Sequence, residues 1–272
     1  ITTTGNVSAG NVLTGGIVSA TGNITGNNLT INNLITATGN ITGNNLSAIA
    51  NLTANNINVG NFISAGSNIT GANLLTGNDV SAVGNVYGNN LNIGNLISSG
   101  GNITGANILT AGNVSATGNI IGNNIDISNI ISSAGNITGA NLLTGGNVSA
   151  TGNILGNNLI IGNIISSGGN ITGSNILTSG LISATGNIDS NNLNISNVIS
   201  AGGNITGANL LTGGSVSATA NLDANNLNIS NIISAGGNIT GSNLLTSGNV
   251  SVSSNVIANN INIGNFISAV QI

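Results

Sequence analysis

Aliphatic residues recur along this chain at short, regular intervals, and most of them directly follow an asparagine. Within residues 101–134, for example, Asn102, Asn107 and Asn113 each precede an Ile or a Val. Steps of five to seven residues are too short for an ordinary helix, and alternation such as Ile-Asp-Ile at 125–127 is typical of a strand. The pattern therefore predicts an all-β chain of short strands.

These steps combine into a longer internal repeat. The sequence from Gly101 lines up with that from Gly118, seventeen residues later, and the closest similarity returns after thirty-four residues. Three steps make one seventeen-residue unit, which predicts three short strands and three corners per coil. We therefore expect a β-solenoid, specifically a triangular β-helix of sixteen coils with a two-coil repeat. It would span residues 5–270 as a single domain, with end segments at 1–4 and 271–272.

One unit departs from this length. Residues 39–49 form a unit of eleven residues, so six residues, or one step, are missing. If each step forms one side of a triangular coil, a short coil at 39–49 predicts a kink or a missing side.

The first aliphatic residue of each step is expected to point inward, so that stacked coils form three aliphatic columns. Small residues such as Gly105 and Ala116 follow two positions later, where a narrow interior has no room for a larger side chain. For two successive coils, the expected core residues are Ile103, Ile108, Val114, Ile120, Ile125 and Ile130.

Asparagine occupies a fixed slot of the repeat. Its side chain tolerates left-handed backbone angles, and its amide both donates and accepts hydrogen bonds, which predicts ladders at the corners of stacked coils. Glycan attachment is the alternative, because Asn102-Ile-Thr and Asn113-Val-Ser are acceptor sequons. The expected structural ladder consists of Asn68, Asn102, Asn136, Asn170, Asn204 and Asn238.

The composition excludes several classes of function. The chain has no Lys, Arg, His or Cys and four acidic residues, and only 1% of its residues are aromatic. Without basic residues it lacks the charge that nucleic-acid binding and a basic membrane surface need. No apolar run approaches the roughly 18 residues of a membrane span, so we also expect no membrane insertion.

The same composition offers little catalytic chemistry. Acid–base and nucleophilic catalysis use His, Cys, Lys or paired carboxylates, so we expect no enzyme activity, no catalytic residues and no cofactor. Asp189 and Asp223 share a slot two coils apart, roughly 9.6 Å at strand spacing, which is too far to share a metal ion without other ligands. No metal site is expected.

Outward positions offer candidate contact surfaces. One row holds Thr in alternate coils, and its remaining positions vary widely between hydroxyl, acidic and apolar residues. Outward apolar residues in one row suggest a lateral contact with another chain, although the variation is also compatible with an unconstrained surface. The candidates for this lateral contact are Tyr87, Ile121, Leu155 and Ile257.

A threonine row on a solenoid also raises ice binding as a further function class. An ice-matching face would need hydroxyls on every coil, about 4.8 Å apart. The threonine row returns only on every second coil, so its spacing argues against ice binding.

Two recurring strings give the chain a resemblance to known proteins. SATGNI begins at Ser19, Ser115, Ser149 and Ser183, and GNITGANLL begins at 135 and 203. These strings resemble the low-complexity Gly-Asn-aliphatic-Ser/Thr repeats of bacteriophage tail-fibre and other virion fibre proteins. The resemblance covers essentially the whole chain and implies a fibre shaft, often homotrimeric, with a receptor-binding tip elsewhere.

Two structural roles remain open at this point. The chain is either a phage or virion fibre shaft or the subunit of an extracellular filament that stacks end to end through open coils at Ile1 and Ile272. An extracellular or virion-surface location suits both, because trypsin-like proteases find no Lys or Arg to cleave. The expected partner is the chain itself, as an end-to-end stack or a homo-oligomer; any receptor is unknown. A single-chain coil is favoured over an intertwined trimer, because one chain carries enough aliphatic residues for its own core.

Overall fold

The computed structural model describes residues 1–271, with Ile35 described by its backbone alone, and this part of the chain is all β without any helix. The chain forms parallel stacked coils of about seventeen residues, which confirms the predicted β-solenoid. It divides into two compact units, Ile1–Gly135 and a second unit from Asn136 onward, each of which contributes about eight of the turns. Each unit is a stack of coils in its own right.

The strands of the first unit are short and alternate with turns at the corners. They are β1 Thr2–Thr3, β2 Val7–Thr14, β3 Val18–Ala20, β4 Ile24–Ile31, β5 Ile35–Ala48, β6 Leu52–Ala65, β7 Ile69–Thr76, β8 Val80–Ala82, β9 Val86–Tyr87, β10 Asn90–Ile93, β11 Ile97–Ser99, β12 Ile103–Thr104, β13 Asn107–Thr110, β14 Val114–Ala116, β15 Ile120–Ile127 and β16 Ile131–Ser133.

The second unit repeats this arrangement. Its strands are β17 Ile137–Thr144, β18 Val148–Ala150, β19 Ile154–Leu155, β20 Asn158–Ile161, β21 Ile165–Ser167, β22 Ile171–Thr178, β23 Ile182–Ala184, β24 Ile188–Ile195, β25 Ile199–Ala201, β26 Ile205–Thr212, β27 Val216–Ala218, β28 Leu222–Ile229, β29 Ile233–Ala235, β30 Ile239–Thr246, β31 Val250–Val252, β32 Val256–Ile263 and β33 Ile267–Ser268.

Each strand pairs in parallel with the strand seventeen residues further along the chain. In the coil of residues 101–117, the first side centres on β12, the second on β13 and the third on β14. Ile103 pairs with Ile120 on the first side and Ile108 with Ile125 on the second. Side chains alternate between the two faces of a strand, so a constant spacing of seventeen residues between paired positions keeps every inward residue above another inward residue.

The core is a set of aliphatic columns, one for each side. Ile103, Ile108 and Val114 are fully buried, and so are Ile120 and Ile125 in the next coil. Burial of an Ile or Val side chain contributes about 1.5–3 kcal/mol to the free energy of folding. Every layer of the stack adds such contributions, and no aromatic side chain is needed in the core.

The expectation that Ile130 points inward is wrong. Ile130 is 38% exposed, whereas its neighbour Ile131 is fully buried and pairs with Val114. The stack requires an offset of seventeen residues, and Val114 therefore aligns with Ile131. Asn129 comes one residue earlier in its coil than Asn113 does, so the position after an Asn is not always the inward one.

The prediction that a side of the coil is lost at residues 39–49 is also wrong. Strand β5 pairs continuously with β4 before it and with β6 after it, and coils of about seventeen residues run through this segment. Because one step is missing, the steps of the repeat move to a different side of the coil after this point. Val18 belongs to the third step of its unit and Leu52 to the first step of a later unit, yet both lie in one column, joined through Ile35.

The three sides can exchange in this way because each presents a large aliphatic residue inward in every layer. The pairing of β5 with β6 shifts by one residue between Ala37 and Asn40 and shifts back between Gly43 and Asn45. These two compensating irregularities absorb the unequal spacing of the steps, and no side of the coil is lost.

The segments expected to lie outside the solenoid also pair with it. Thr2 and Thr3 form a strand beside Ser19 and Ala20, and Gln271 bridges to Asn255. Of the predicted end segments, 1–4 thus contains a solenoid strand. Ile272 lies outside the described residues.

Candidate functional site

The corner before the first side holds a ladder of asparagines, from Asn68 onward in the first unit and along the second unit. The side-chain Oδ1 of Asn102 accepts a 2.8 Å hydrogen bond from the backbone N–H of Asn119, and the N–H of Asn102 donates to Asn85 Oδ1 at 2.8 Å. Each Asn thus satisfies a backbone donor of the next coil. The other predicted ladder residues accept in the same way: Asn68, Asn136, Asn170, Asn204 and Asn238.

A second ladder, which the sequence reasoning did not separate from the first, lies at the corner between the first and second sides. Here the amides bond to one another: Asn107 Nδ2 donates to Asn90 Oδ1 at 2.8 Å, and Asn175 Nδ2 donates to Asn158 Oδ1 at 2.9 Å. The recurrence of Asn at intervals of seventeen was the signal that could have identified it.

The asparagines are not needed for left-handed backbone angles, contrary to that expectation. Within the described residues no Gly and no other residue has a positive φ. Glycine precedes the ladder Asn in most coils, and a Cβ at Gly118 would lie 2.2 Å from Asn102 Oδ1. Ala220 and Ser254 hold the same slot in two coils, where the ladder bonds are 3.0 and 3.2 Å long. The Gly-Asn pairs therefore reflect the close approach of successive coils.

Buried threonine hydroxyls lie at the corner between the second and third sides. Thr178 is 1% exposed; its Oγ1 donates to the Asn163 carbonyl at 2.6 Å and accepts from the Gly180 N–H at 3.2 Å. Thr212 and Thr246 repeat both bonds. These interactions satisfy backbone groups, so this row of Thr is structural.

The predicted lateral-contact residues lie on the outward row of the first side. Ile121, Leu155 and Ile257 are 42%, 38% and 56% exposed, and Tyr87 is half-buried. No two of these four residues lie on successive coils. The other positions of the row are Thr or Asp: Thr70, Thr104, Thr138, Thr172, Asp189, Thr206, Asp223 and Thr240.

A shallow groove runs beside this row in the second unit. Its volume is about 550 Å³, and its lining includes Thr138, Leu155, Thr172 and Asp189. Gly156 lies at its floor, where a Cβ would meet Leu159 Cδ1 at 2.7 Å. Hydroxyl, amide and single carboxylate groups line it, and the described residues contain no cluster of three or more His, Cys, Asp or Glu able to hold a metal ion.

The outward row of the second side is more regular than the predicted one, and sequence reasoning missed it. In the second unit Leu143, Ile160 and Leu177 lie on three successive coils and are 43–46% exposed. Further along, Leu alternates with Asn. On successive coils this row carries Leu177, Asn194, Leu211, Asn228, Leu245 and Asn262.

In the second unit the outward row of the third side carries serine on every coil. Unlike the threonine row of the first side, this row repeats its hydroxyl from one coil to the next. In the second unit the row consists of Ser149, Ser166, Ser183, Ser200, Ser217, Ser234, Ser251 and Ser268.

Comparison of the chain with protein-family models, curated proteins and solved structures found no match. Residues 1–271 also contain no helix with the length and apolar character of a membrane span. The candidate site is therefore defined by the surface rows alone: a mixed Thr row, a leucine-rich row and a serine row.

Proposed function

We propose that this protein is a structural fibre component whose repeated coils serve as a mechanical spacer. The coarse role is consistent with the β-solenoid and its asparagine ladders. The observation that carries the proposal is the Asn85–Asn102–Asn119 ladder, in which every coil is tied to the next through a backbone N–H as well as through strand pairing. Repeated identical ties suit a stiff element better than a site for chemistry.

The surface chemistry supports the same role. The four acidic side chains are scattered, and the groove beside Leu155 holds one carboxylate, that of Asp189, without a second carboxylate or a His, Cys or Lys to pair with it. The proposal assigns the chain no reaction and no cofactor.

Within this role, we propose a phage or virion fibre shaft, exposed on a particle surface. The support is the resemblance of the SATGNI and GNITGANLL strings to virion fibre repeats. The alternative is an extracellular filament in which copies of the chain stack end to end.

Electron microscopy of the purified chain separates the two roles. A spacer shaft gives rods of one fixed length at every protein concentration, whereas a filament subunit gives rods that lengthen as the concentration rises. Particles without an elongated form would contradict both. Labelling of virions with an antibody against the chain then tests the shaft directly.

The serine row favours ice binding as a second candidate function. Its hydroxyls recur on every coil, at about the 4.8 Å strand spacing, as an ice-matching face requires. Thermal hysteresis tests it: wild-type chain should depress the freezing point below the melting point, and Ser200→Tyr should abolish this effect. Absence of hysteresis in the wild type would remove the candidate.

A further inference from the structure

The second unit presents an apolar stripe on its outer surface. Its middle row consists of the exposed residues Leu143, Ile160, Leu177, Leu211 and Leu245, which are 43–46% exposed. Contiguous exposed apolar surface marks interaction sites, whereas scattered apolar residues do not. We call the residues of this row and the corner row described next the leucine face.

The corner beside this row adds apolar residues mainly in the coils where the middle row is polar. Asn194 and Asn228 interrupt the middle row, and their coils carry Val198 and Ile232 at the corner between the second and third sides. The corner row from Ile164 onward is Ile164, Leu181, Val198, Ser215, Ile232, Asn249 and Phe266. Its residues Leu181, Ile232 and Phe266 are 37%, 42% and 58% exposed.

We propose that the leucine face is a lateral interface that binds a second copy of this chain. The inference goes beyond the proposed fibre role and does not depend on it. It also assigns the lateral contact to a different side from the row of Tyr87, Ile121, Leu155 and Ile257.

Charge supports a second copy as the occupant. The middle row of the second unit contains no charged residue, and Asp189 and Asp223 lie on the first side instead. Two copies that meet through the leucine face therefore bring no carboxylates together. The corresponding row of the first unit carries Asp126, which disfavours self-association there.

The spacing of the row supports the same occupant. From Leu177 to Leu245 a leucine returns on every second coil, about 9.6 Å apart, with a shorter Asn between. In a two-fold pair the same patch faces itself, so a stagger of one coil places each Leu of one copy against the Asn slot of the other. A partner must therefore also carry a large residue on every second coil with a shorter one between, and a second copy of the chain does so.

The area of the leucine face indicates how strongly two copies should associate. A surface four residues wide and eight coils long measures about 13 Å by 38 Å, or about 500 Å² before corrugation and flanking residues are counted. Stable interfaces bury about 800 Å² on each partner, so the face lies at the weak end of the range. We therefore expect a reversible dimer rather than a permanent one.

Sedimentation equilibrium of the purified full chain over a range of concentrations tests the proposal. Wild type should fit a reversible monomer–dimer equilibrium that changes little with salt. The combined variant Leu143→Asn, Leu177→Asn, Leu211→Asn should weaken association at least about tenfold. Asn already occupies this row in other coils, so the circular dichroism spectrum should stay that of wild type.

A matched control removes apolar surface from the first side. Leu155→Thr with Ile257→Thr introduces the residue that alternate coils carry there, and it should leave the dimer unchanged. On the leucine face itself, Asn194→Leu with Asn228→Leu fills the slots that receive the partner's Leu side chains and should also weaken association. The proposal is overturned by a wild type that stays monomeric throughout, by a triple variant with unaltered association, or by a control that dissociates the dimer instead.

Discussion

The backbone N–H of Asn102 donates a 2.8 Å hydrogen bond to Oδ1 of Asn85, seventeen residues earlier in the chain. Both residues are half-buried, so water competes only in part for this donor. The bond ties one coil to the next at a corner, where strand pairing is interrupted. Its geometry yields the first prediction.

Asn85→Ala should lower the free energy of unfolding by about 1–2 kcal/mol, because it leaves the Asn102 N–H without its acceptor. Asn85→Asp keeps an acceptor oxygen at the same place and should cost less. Chemical denaturation followed by circular dichroism measures both. Equal losses in the two variants would show that the hydrogen bond is not the cause.

Gly118→Ala should destabilise the first unit by no more than about 1 kcal/mol, because its Cβ would lie 2.2 Å from Asn102 Oδ1 but Ala220 holds the same slot with the ladder bond kept at 3.0 Å. Gly10→Ala is the control, because a Cβ there meets no atom within 4 Å. Combining Gly118→Ala with Asn102→Ala should cost less than the sum of the single changes, because the clashing side chain is gone. Additive losses in this cycle would argue against the clash.

Thr178→Val should cost about 1–3 kcal/mol, because the Asn163 carbonyl and the Gly180 N–H both lose a part-buried hydrogen bond while the side-chain volume is kept. Thr172→Val is an exposed control and should change stability by less than about 0.5 kcal/mol. Thermal melting of both variants provides the measurement. A neutral Thr178→Val would mean that the hydroxyl is not needed at this corner.

Deletion of the whole coil 186–202 should leave a folded β-solenoid, because Gly203 then follows Thr185 and every inward residue stays in its column. Deletion of only 186–194 should disrupt the second unit, because it shifts each later strand off the seventeen-residue register. Circular dichroism and protease resistance report on both chains. Equal resistance of the two deletions would show that coil length does not determine the stack.

Comparable substitutions at the two asparagine ladders separate their roles. Asn175→Ala removes an amide–amide bond between exposed side chains, so we expect a loss of no more than about 0.5–1 kcal/mol, below that of Asn85→Ala. The same denaturation experiment compares them. A larger loss at Asn175 would reverse the ranking of the two ladders.

The amino-acid sequence by itself determined the all-β class, the seventeen-residue coil and the aliphatic columns. These features follow from local alternation and from a period that repeats along the chain. It also placed one asparagine ladder, because the residues of that slot recur with constant neighbours.

Only the tertiary structure decided that Ile131 rather than Ile130 faces the core, and that the stack continues through residues 39–49. Both depend on the pairing of a strand with coils before and after it, which a local pattern does not contain. The same register brings Leu143, Ile160 and Leu177 together on one outer row. Their apolar side chains resemble core residues in the sequence, and only the strand's alternation within the stack turns them to solvent.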